Sequence, residues 1–228
     1  MLNQIFNEDC MLTMARMEDK SVDITFTSPP YNRKRNDKYE HYEDTIDDFY
    51  EFLCVTTREM LRVTKRNVFV NIQKNYYNKE EVFRYIGEFS KEICEIIIWE
   101  KSNPLPASGS SITNAWEFVL VFGEPLKSNS TYTKNHILTS VNQETNAIHK
   151  AMMNIQVSDW FMEKFAHEGD IVYDPFSGFG TTAISASKYG CSYLGSEISK
   201  EYWEHGNARI AECVSSIDKD HLNSFMEW

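Results

Sequence analysis

Tyr173-Asp-Pro-Phe-Ser-Gly-Phe-Gly-Thr-Thr182 joins a short apolar strand, Ile171-Val-Tyr173, to a helix expected from Thr181 to Tyr189. Gly178 and Gly180 allow a tight turn with positive φ and let a ligand approach the backbone. The helix start offers unpaired N–H groups that favour a carboxylate or phosphate. Two common nucleotide motifs are excluded by spacing. Gly178-x-Gly180 lacks the third glycine of the dinucleotide fingerprint, and no Gly-Lys-Ser/Thr follows as in a P-loop. About 20 residues on, the strand Ser192 to Gly195 leads to Glu197, where an acid can take ribose hydroxyls. Glu197 also reads as an acid at a helix start, because Ser199 opens the next helix.

Outward from this turn, strands alternate with helices. Strands are expected at Gln4 to Phe6, Val22 to Phe26, Val68 to Ile72, Ile93 to Trp99 and Trp116 to Phe122. Helices are expected at Cys10 to Met17, from a Thr45 cap through Leu61, at Lys79 to Phe89, Val157 to Ala166 and Ser199 to Cys213. Asn32 to Glu43 and Asn103 to Ser111 read as loops, and Glu124 to Ile148 as polar and without period. The alternation argues for an α/β, doubly wound and largely parallel sheet. The 228 residues suffice for a single domain, 1–228, with a variable segment at 124–148.

A second motif lies near the N-terminus, in Asp23-Ile-Thr-Phe-Thr-Ser-Pro-Pro-Tyr-Asn32. An apolar strand stops at two prolines, which fix two φ angles, remove two N–H donors and extend the residue before each. Ser28, Pro29, Pro30 and Tyr31 thus form a stiff corner presenting carbonyl oxygens, a hydroxyl and a ring. Such a corner suits a planar group that carries an amino function. Beyond it, Arg33, Lys34, Arg35 and Lys38 form the densest basic cluster, read either as a solvated loop or as a phosphate contact; its place beside the corner favours the contact.

With both motifs present, the chain resembles the S-adenosylmethionine-dependent amino-group DNA methyltransferases. The corner resembles their catalytic motif and Asp-Pro-Phe-x-Gly-x-Gly-Thr-Thr their cofactor motif. Catalytic motif first and cofactor motif about 145 residues later is the order of the circularly permuted β group. Asn7-Glu-Asp-Cys10, Ser21-Val-Asp23, Trp99 to Pro106 and Thr113 to Glu117 extend the likeness. His149-Lys150 to Trp160 stands where the family's cofactor-flanking helix begins, but the usual His-Pro and a further Pro are missing. The resemblance implies a seven-stranded sheet with one antiparallel strand and an enzyme that methylates a base flipped from duplex DNA. It assigns Ser28, Pro29, Pro30 and Tyr31 to catalysis. Ser28 and the Pro29 carbonyl would accept amino N–H bonds, and Tyr31 would stack on the base. It assigns Asp9, Asp174, Phe176, Gly178, Gly180, Thr181, Thr182 and Glu197 to S-adenosylmethionine, with Asp9 also readable as a cap for the helix at Cys10. Arg33, Lys34, Arg35 and Lys38 are assigned to DNA. Serine at position 28 is more typical of cytosine N4 enzymes than of adenine N6 enzymes, which remain the alternative. An RNA or free amino substrate, or an inactive DNA- or cofactor-binding module, are the other readings. The resemblance also admits a homodimer and a restriction endonuclease acting on the same site.

Composition sets the outer limits. A net charge of −11 argues against a general nucleic-acid coat protein but leaves room for a basic edge. No run approaches the roughly 18 apolar residues of a membrane span, and the N-terminus has no signal-peptide pattern. Cys10, Cys54, Cys94, Cys191 and Cys213 form no CxxC pair, so reduced thiols in a cytoplasmic protein are expected, with no metal site. No Pro-Cys pair offers the nucleophile needed for methylation at ring carbon 5.

Overall fold

The computed structural model describes residues 2–33, 45–104, 112–141 and 152–226, with side chains as far as residue 216. Eight strands form one sheet: β1 (Gln4–Phe6), β2 (Ile24–Thr27), β3 (Asn67–Ile72), β4 (Ile93–Lys101), β5 (Trp116–Gly123), β6 (His136–Thr139), β7 (Ile171–Asp174) and β8 (Ser192–Ser196). Their order is β1-β8-β7-β2-β3-β5-β4-β6. Only β5 runs antiparallel to its neighbours among these strands. The central strands β2 and β3 are buried at every position, their polar residues Thr25, Thr27, Asn67 and Asn71 included.

Among the described residues six helices cover the sheet: α1 (Cys10–Ala15), α2 (Phe49–Val63), α3 (Lys79–Glu88), α4 (Ile155–Phe165), α5 (Thr181–Lys188) and α6 (Lys200–Met226). Phe49, Leu53, Met60 and Tyr85 of α2 and α3 pack with Val68, Val70 and Ile72 in one core. Phe161 and Phe165 of α4 pack with Phe26 and Phe69 in another; Phe26 and Phe161 stack with centroids 4.6 Å apart. Burying each such ring contributes about 1.5–3 kcal/mol, so both faces lock the sheet around β2, β3 and β7.

The register Ile24↔Val172 and Thr25↔Tyr173 sets β7 directly beside β2. The strand that ends in the glycine turn therefore lies next to the strand that ends in the proline corner. Their carboxyl ends open on the same edge, where the strand order reverses and open α/β sheets bind ligands.

Four expectations need correction. The sheet has eight described strands and not seven, because β6 lies inside the segment read as patternless. Only Ile137 of β6 is buried, and a four-residue edge strand beside Ile98 to Lys101 is too short to show alternation. Asp48, not Thr45, caps α2, its carboxylate accepting from Glu51 N at 3.0 Å. β2 starts at Ile24, since Val22 only bridges to Thr64. Finally, α6 runs on past Cys213 to Met226.

Candidate active site

The proline corner leaves the buried end of β2 with Pro29 buried and Ser28, Pro30 and Tyr31 half-buried. Asn32, at φ +49°, turns the chain sharply, a conformation asparagine tolerates better than most residues. Its amide pairs with Ile46, accepting from Ile46 N at 3.0 Å and donating to Ile46 O at 3.1 Å. Asn32 and Ile46 are thereby tied together. Behind the corner, the Tyr31 carbonyl accepts from Asn75 Nδ2 at 3.0 Å and Asn78 Nδ2 at 2.7 Å. The corner is braced from the β3–α3 turn as well as by its own prolines.

Tyr31 points inward. Its hydroxyl donates to Glu117 Oε2 at 2.8 Å and lies 2.8 Å from Ser28 Oγ and 2.7 Å from Asn71 Nδ2. Asn71 also donates to Glu117 Oε2 at 2.8 Å, and Lys101 Nζ holds Glu117 Oε1 in a salt bridge. Burial, together with the nearby Glu117 charge, pushes the Tyr31 phenol well above its ordinary pKa, so it stays a donor. The Arg33 guanidinium lies over the Tyr31 ring, 5.4 Å from its centroid. Lys34, Arg35 and Lys38 lie outside the described residues.

On the cofactor side, Asp174 ends β7 and is buried. Its Oδ1 accepts from Thr27 Oγ1 at 2.6 Å and Phe176 N at 3.0 Å, and its Oδ2 from Thr182 Oγ1 at 2.6 Å. Burial raises the Asp174 pKa despite these bonds. Asp174 therefore ties the two motifs together through Thr27. Phe176 packs on Phe52, with centroids 5.6 Å apart. Thr181 Oγ1 receives Arg209 Nη1 at 3.2 Å.

Gly178 and Gly180 have φ of +50° and +71°. Gly180 starts α5, and a Cβ there would come within 2.5 Å of Ile210 Cδ1 on α6. Gly178 N donates to Glu197 Oε2 at 2.8 Å, and Glu197 Oε1 accepts from Ser199 N at 2.8 Å. Burial raises the Glu197 pKa, with the Asp174 charge adding to it. Asp9 is exposed and caps α1, its Oδ1 accepting from Met11 N at 2.8 Å. Asp9, Glu197, Asp174 and Ser28 thus follow the carboxyl ends of β1, β8, β7 and β2, four adjacent parallel strands.

These residues fit S-adenosylmethionine. The turn is glycine-lined, Glu197 stands at the next strand end, and the buried Ser177 hydroxyl has no partner among the described residues. A buried polar atom left unpaired costs free energy, so a ligand contact there answers a need of the fold.

Several site residues escape sequence reasoning: Thr27, Asn71, Asn75, Asn78, Lys101 and Glu117. The available signal was a polar residue interrupting an apolar strand, as Asn71 does in Val68 to Ile72 and Glu117 in Trp116 to Phe122. No group of three metal-ligating side chains exists among the described residues, and all five cysteines are free. Burial pushes the Cys10 thiol up to about 12 and that of Cys191 to about 11. No described helix is long and apolar enough to cross a membrane.

A family model described as DNA methylase matches residues 22–208. The type II methyltransferase M.MwoI of Methanothermobacter wolfeii is 32% identical over 198 residues, which cover 79% of this chain and 29% of that protein. The orphan methyltransferase M.BamHII of Bacillus amyloliquefaciens is 28% identical over 250 residues, covering 86% of this chain and 91% of that one. Among solved structures, the cytosine-N4-specific PvuII DNA methyltransferase superposes with a TM-score of 0.74 at 15% identity, over 93% of this chain and 90% of its own. TTHA0409 of Thermus thermophilus, solved with S-adenosyl-L-methionine, gives 0.66 at 19% identity, over 92% and 95%. Matched by this family model over residues 22–208, a stretch that holds both sequence motifs, the chain belongs to the N6/N4 family of DNA methylases.

Proposed function

We propose that this chain methylates the N4 amino group of a cytosine flipped out of duplex DNA. The observation that carries the reading is the juxtaposition of Ser28 and the glycine turn on one sheet edge, joined by the Thr27–Asp174 hydrogen bond of 2.6 Å. Bound S-adenosylmethionine supplies a sulfonium-activated methyl group. The protein's part is to hold the amino nitrogen in line and to aim its lone pair. That lone pair is delocalised into the base ring, so hydrogen-bond acceptors must draw it out. Ser28 Oγ and the Pro29 carbonyl are the acceptors, held by the prolines and the asparagine brace. Glu197, Gly178, Gly180, Ser177 and Asp9 hold the cofactor, whereas Asp174, Thr181 and Thr182 shape its turn from behind.

Tyr31 meets the base with the ring face not covered by Arg33. Arg33, with Lys34, Arg35 and Lys38, takes DNA phosphates. A rim of Lys74, Tyr76, Tyr77 and Trp116 borders the same edge; Tyr76 is 80% exposed and Lys74 Nζ sits 5.8 Å from the Trp116 ring centroid. Cations and exposed rings together suit a displaced strand. Ser28 supports cytosine over adenine, and a restriction endonuclease of shared specificity or a second copy of the chain are further partners to test.

The test is methylation of duplex DNA with labelled cofactor, followed by digestion to nucleosides. N4-methylcytosine is expected. Label found only in N6-methyladenine would overturn the base assignment, and label in neither would overturn the reaction. Ser28→Ala should lower the transfer rate by ~10²-fold while leaving cofactor affinity unchanged; equal losses in both would refute its role.

A further inference from the structure

Behind Ser28 lies a buried polar chain that the two sequence motifs do not include. Glu117 is 4% exposed and Asn71 1%. Glu117 Oε1 faces Lys101, and Glu117 Oε2 receives both Tyr31 OH and Asn71 Nδ2 at 2.8 Å. Lys101 belongs to β4, Glu117 to β5, Asn71 to β3 and Tyr31 to the corner. Side chains from three other elements therefore converge on the one carboxylate of β5.

The direction of the hydrogen bonds follows from what each group can do. A carboxylate oxygen accepts, and Glu117 Oε1 accepts from Lys101 Nζ while Oε2 is left to its other two neighbours. Tyr31 has one hydroxyl hydrogen, and it donates this to Glu117 Oε2. The Asn71 amide donates its two hydrogens to Tyr31 OH, at 2.7 Å, and to Glu117. The 2.8 Å contact between Ser28 and Tyr31 then has one solution: Ser28 donates and Tyr31 accepts. With its proton so committed, Ser28 Oγ turns only lone pairs towards the sheet edge. Asn71 Nδ2 lies 3.5 Å from Ser28 Oγ, beside the same hydroxyl pair, and Asn71 Oδ1 is buried without a partner among the described residues.

We infer that Glu117 is a positioning residue that, through Tyr31, fixes Ser28 as a hydrogen-bond acceptor for the amino group to be methylated. The inference rests on the reading of the site as an amino-group methyltransferase and adds what makes its serine competent. A serine hydroxyl can donate or accept with equal ease. A donor facing the amine would compete for the very lone pair that must attack. Polarity, and not only position, decides whether the corner works, and Glu117 sets that polarity from two residues away.

Glu117→Gln tests this sharply because the structure dictates how the glutamine must sit. Lys101 can only donate, so the amide oxygen stays with Lys101 and the NH2 group turns to Tyr31. That NH2 group then faces both Tyr31 OH and Asn71 Nδ2, so Tyr31 loses its carboxylate acceptor and Ser28 is no longer held as the donor to Tyr31. The transfer rate in a single turnover, with saturating S-adenosylmethionine and duplex DNA, should fall ~10²-fold. The dissociation constant for S-adenosylmethionine, measured by calorimetry, should stay within about twofold, since Glu117 touches none of the cofactor turn. Tyr31→Phe cuts the link, so the Glu117→Gln/Tyr31→Phe double variant should recover to the rate of Tyr31→Phe alone. A structural role would instead make the double variant slower than either single one.

If Glu117→Gln gives no cooperative melt, Lys101→Met/Glu117→Met replaces the ion pair with apolar side chains, an exchange folded proteins often tolerate. Its rate should still drop ~10-fold, because Tyr31 is free to donate to Ser28. Near-wild-type rates in either variant, or a double variant slower than both singles, would overturn the inference. Wild-type protein that methylates no DNA would instead refute the proposed function, so the two failures are distinguishable.

Discussion

Thr25 and Thr27 sit on the same strand, are both fully buried, and differ in what their hydroxyls meet. Thr25 Oγ1 lies 2.7 Å from the neutral Thr64 Oγ1, whereas Thr27 Oγ1 donates to the Asp174 carboxylate at 2.6 Å. Threonine to valine keeps the shape and swaps a hydroxyl for a methyl at both positions, so the gain in apolar burial cancels in a comparison. A hydrogen bond between neutral groups contributes about 1 kcal/mol, and one to a charged group about 2 kcal/mol. For a chain of this size 1 kcal/mol moves Tm by about 2–4 °C. Thr27→Val should therefore lower Tm by ~4–8 °C and Thr25→Val by about half as much. The pH dependence gives a second handle. Burial holds the Asp174 pKa above its unfolded value, so this carboxyl favours the fold while protonated and the contribution is lost as pH rises through the folded pKa. The Thr27 bond opposes that loss by stabilising the ionised form. The Thr27→Val defect should be widest at high pH and shrink as pH falls through the folded pKa of Asp174, while the Thr25→Val defect stays flat. Calorimetric melts of both variants over a pH series measure this. Equal shifts for the two, or a gap that ignores pH, would refute Asp174 as the charged link between the motifs.

Gly206→Ala would place a Cβ 2.8 Å from the Gly178 carbonyl, a backbone atom that cannot swing aside. It should push α6 off the glycine turn and weaken S-adenosylmethionine binding ~10-fold or more in calorimetry, without removing any ligand contact. Gly169→Ala, at φ +85° with nothing within 4 Å, should cost only backbone strain of about 1 kcal/mol and leave binding intact. Asp23 is bound by Lys65 Nζ at 2.9 Å and Ile171 N at 2.8 Å; burial alone raises its pKa, but these bonds outweigh burial and hold it below the ordinary value. The stability it contributes is present above the unfolded pKa and lost as pH falls through the folded one, so Asp23→Asn should flatten the Tm–pH curve below about pH 4.

Much of the fold was legible because its signals are local. Mainly apolar runs at Val68 to Ile72 and Trp116 to Phe122, and the glycines after Ile171 to Tyr173, mark buried strands and a strand-to-helix turn regardless of what surrounds them. β6 was not legible: its one buried residue, Ile137, becomes core only once β4 lies beside it. The cap of α2 is hidden for a similar reason, since Asn32 engages Ile46 from 14 positions away and the helix begins after Asp48.

By itself the sequence determined the two motifs, their order and the chemistry each can perform, because proline stiffness, glycine φ and side-chain functional groups belong to the residues themselves. Tertiary structure alone decided how those groups are used. Asp174 reads in sequence as a cofactor acid, yet three donors from two elements turn it into a clamp between the motifs. Tyr31 reads as a free ring, yet its hydroxyl is drawn inward by Glu117, 86 positions away. Hydrogen-bond direction and burial depend on every neighbour at once, and those neighbours meet only when β2 pairs with β7 and β3 with β5.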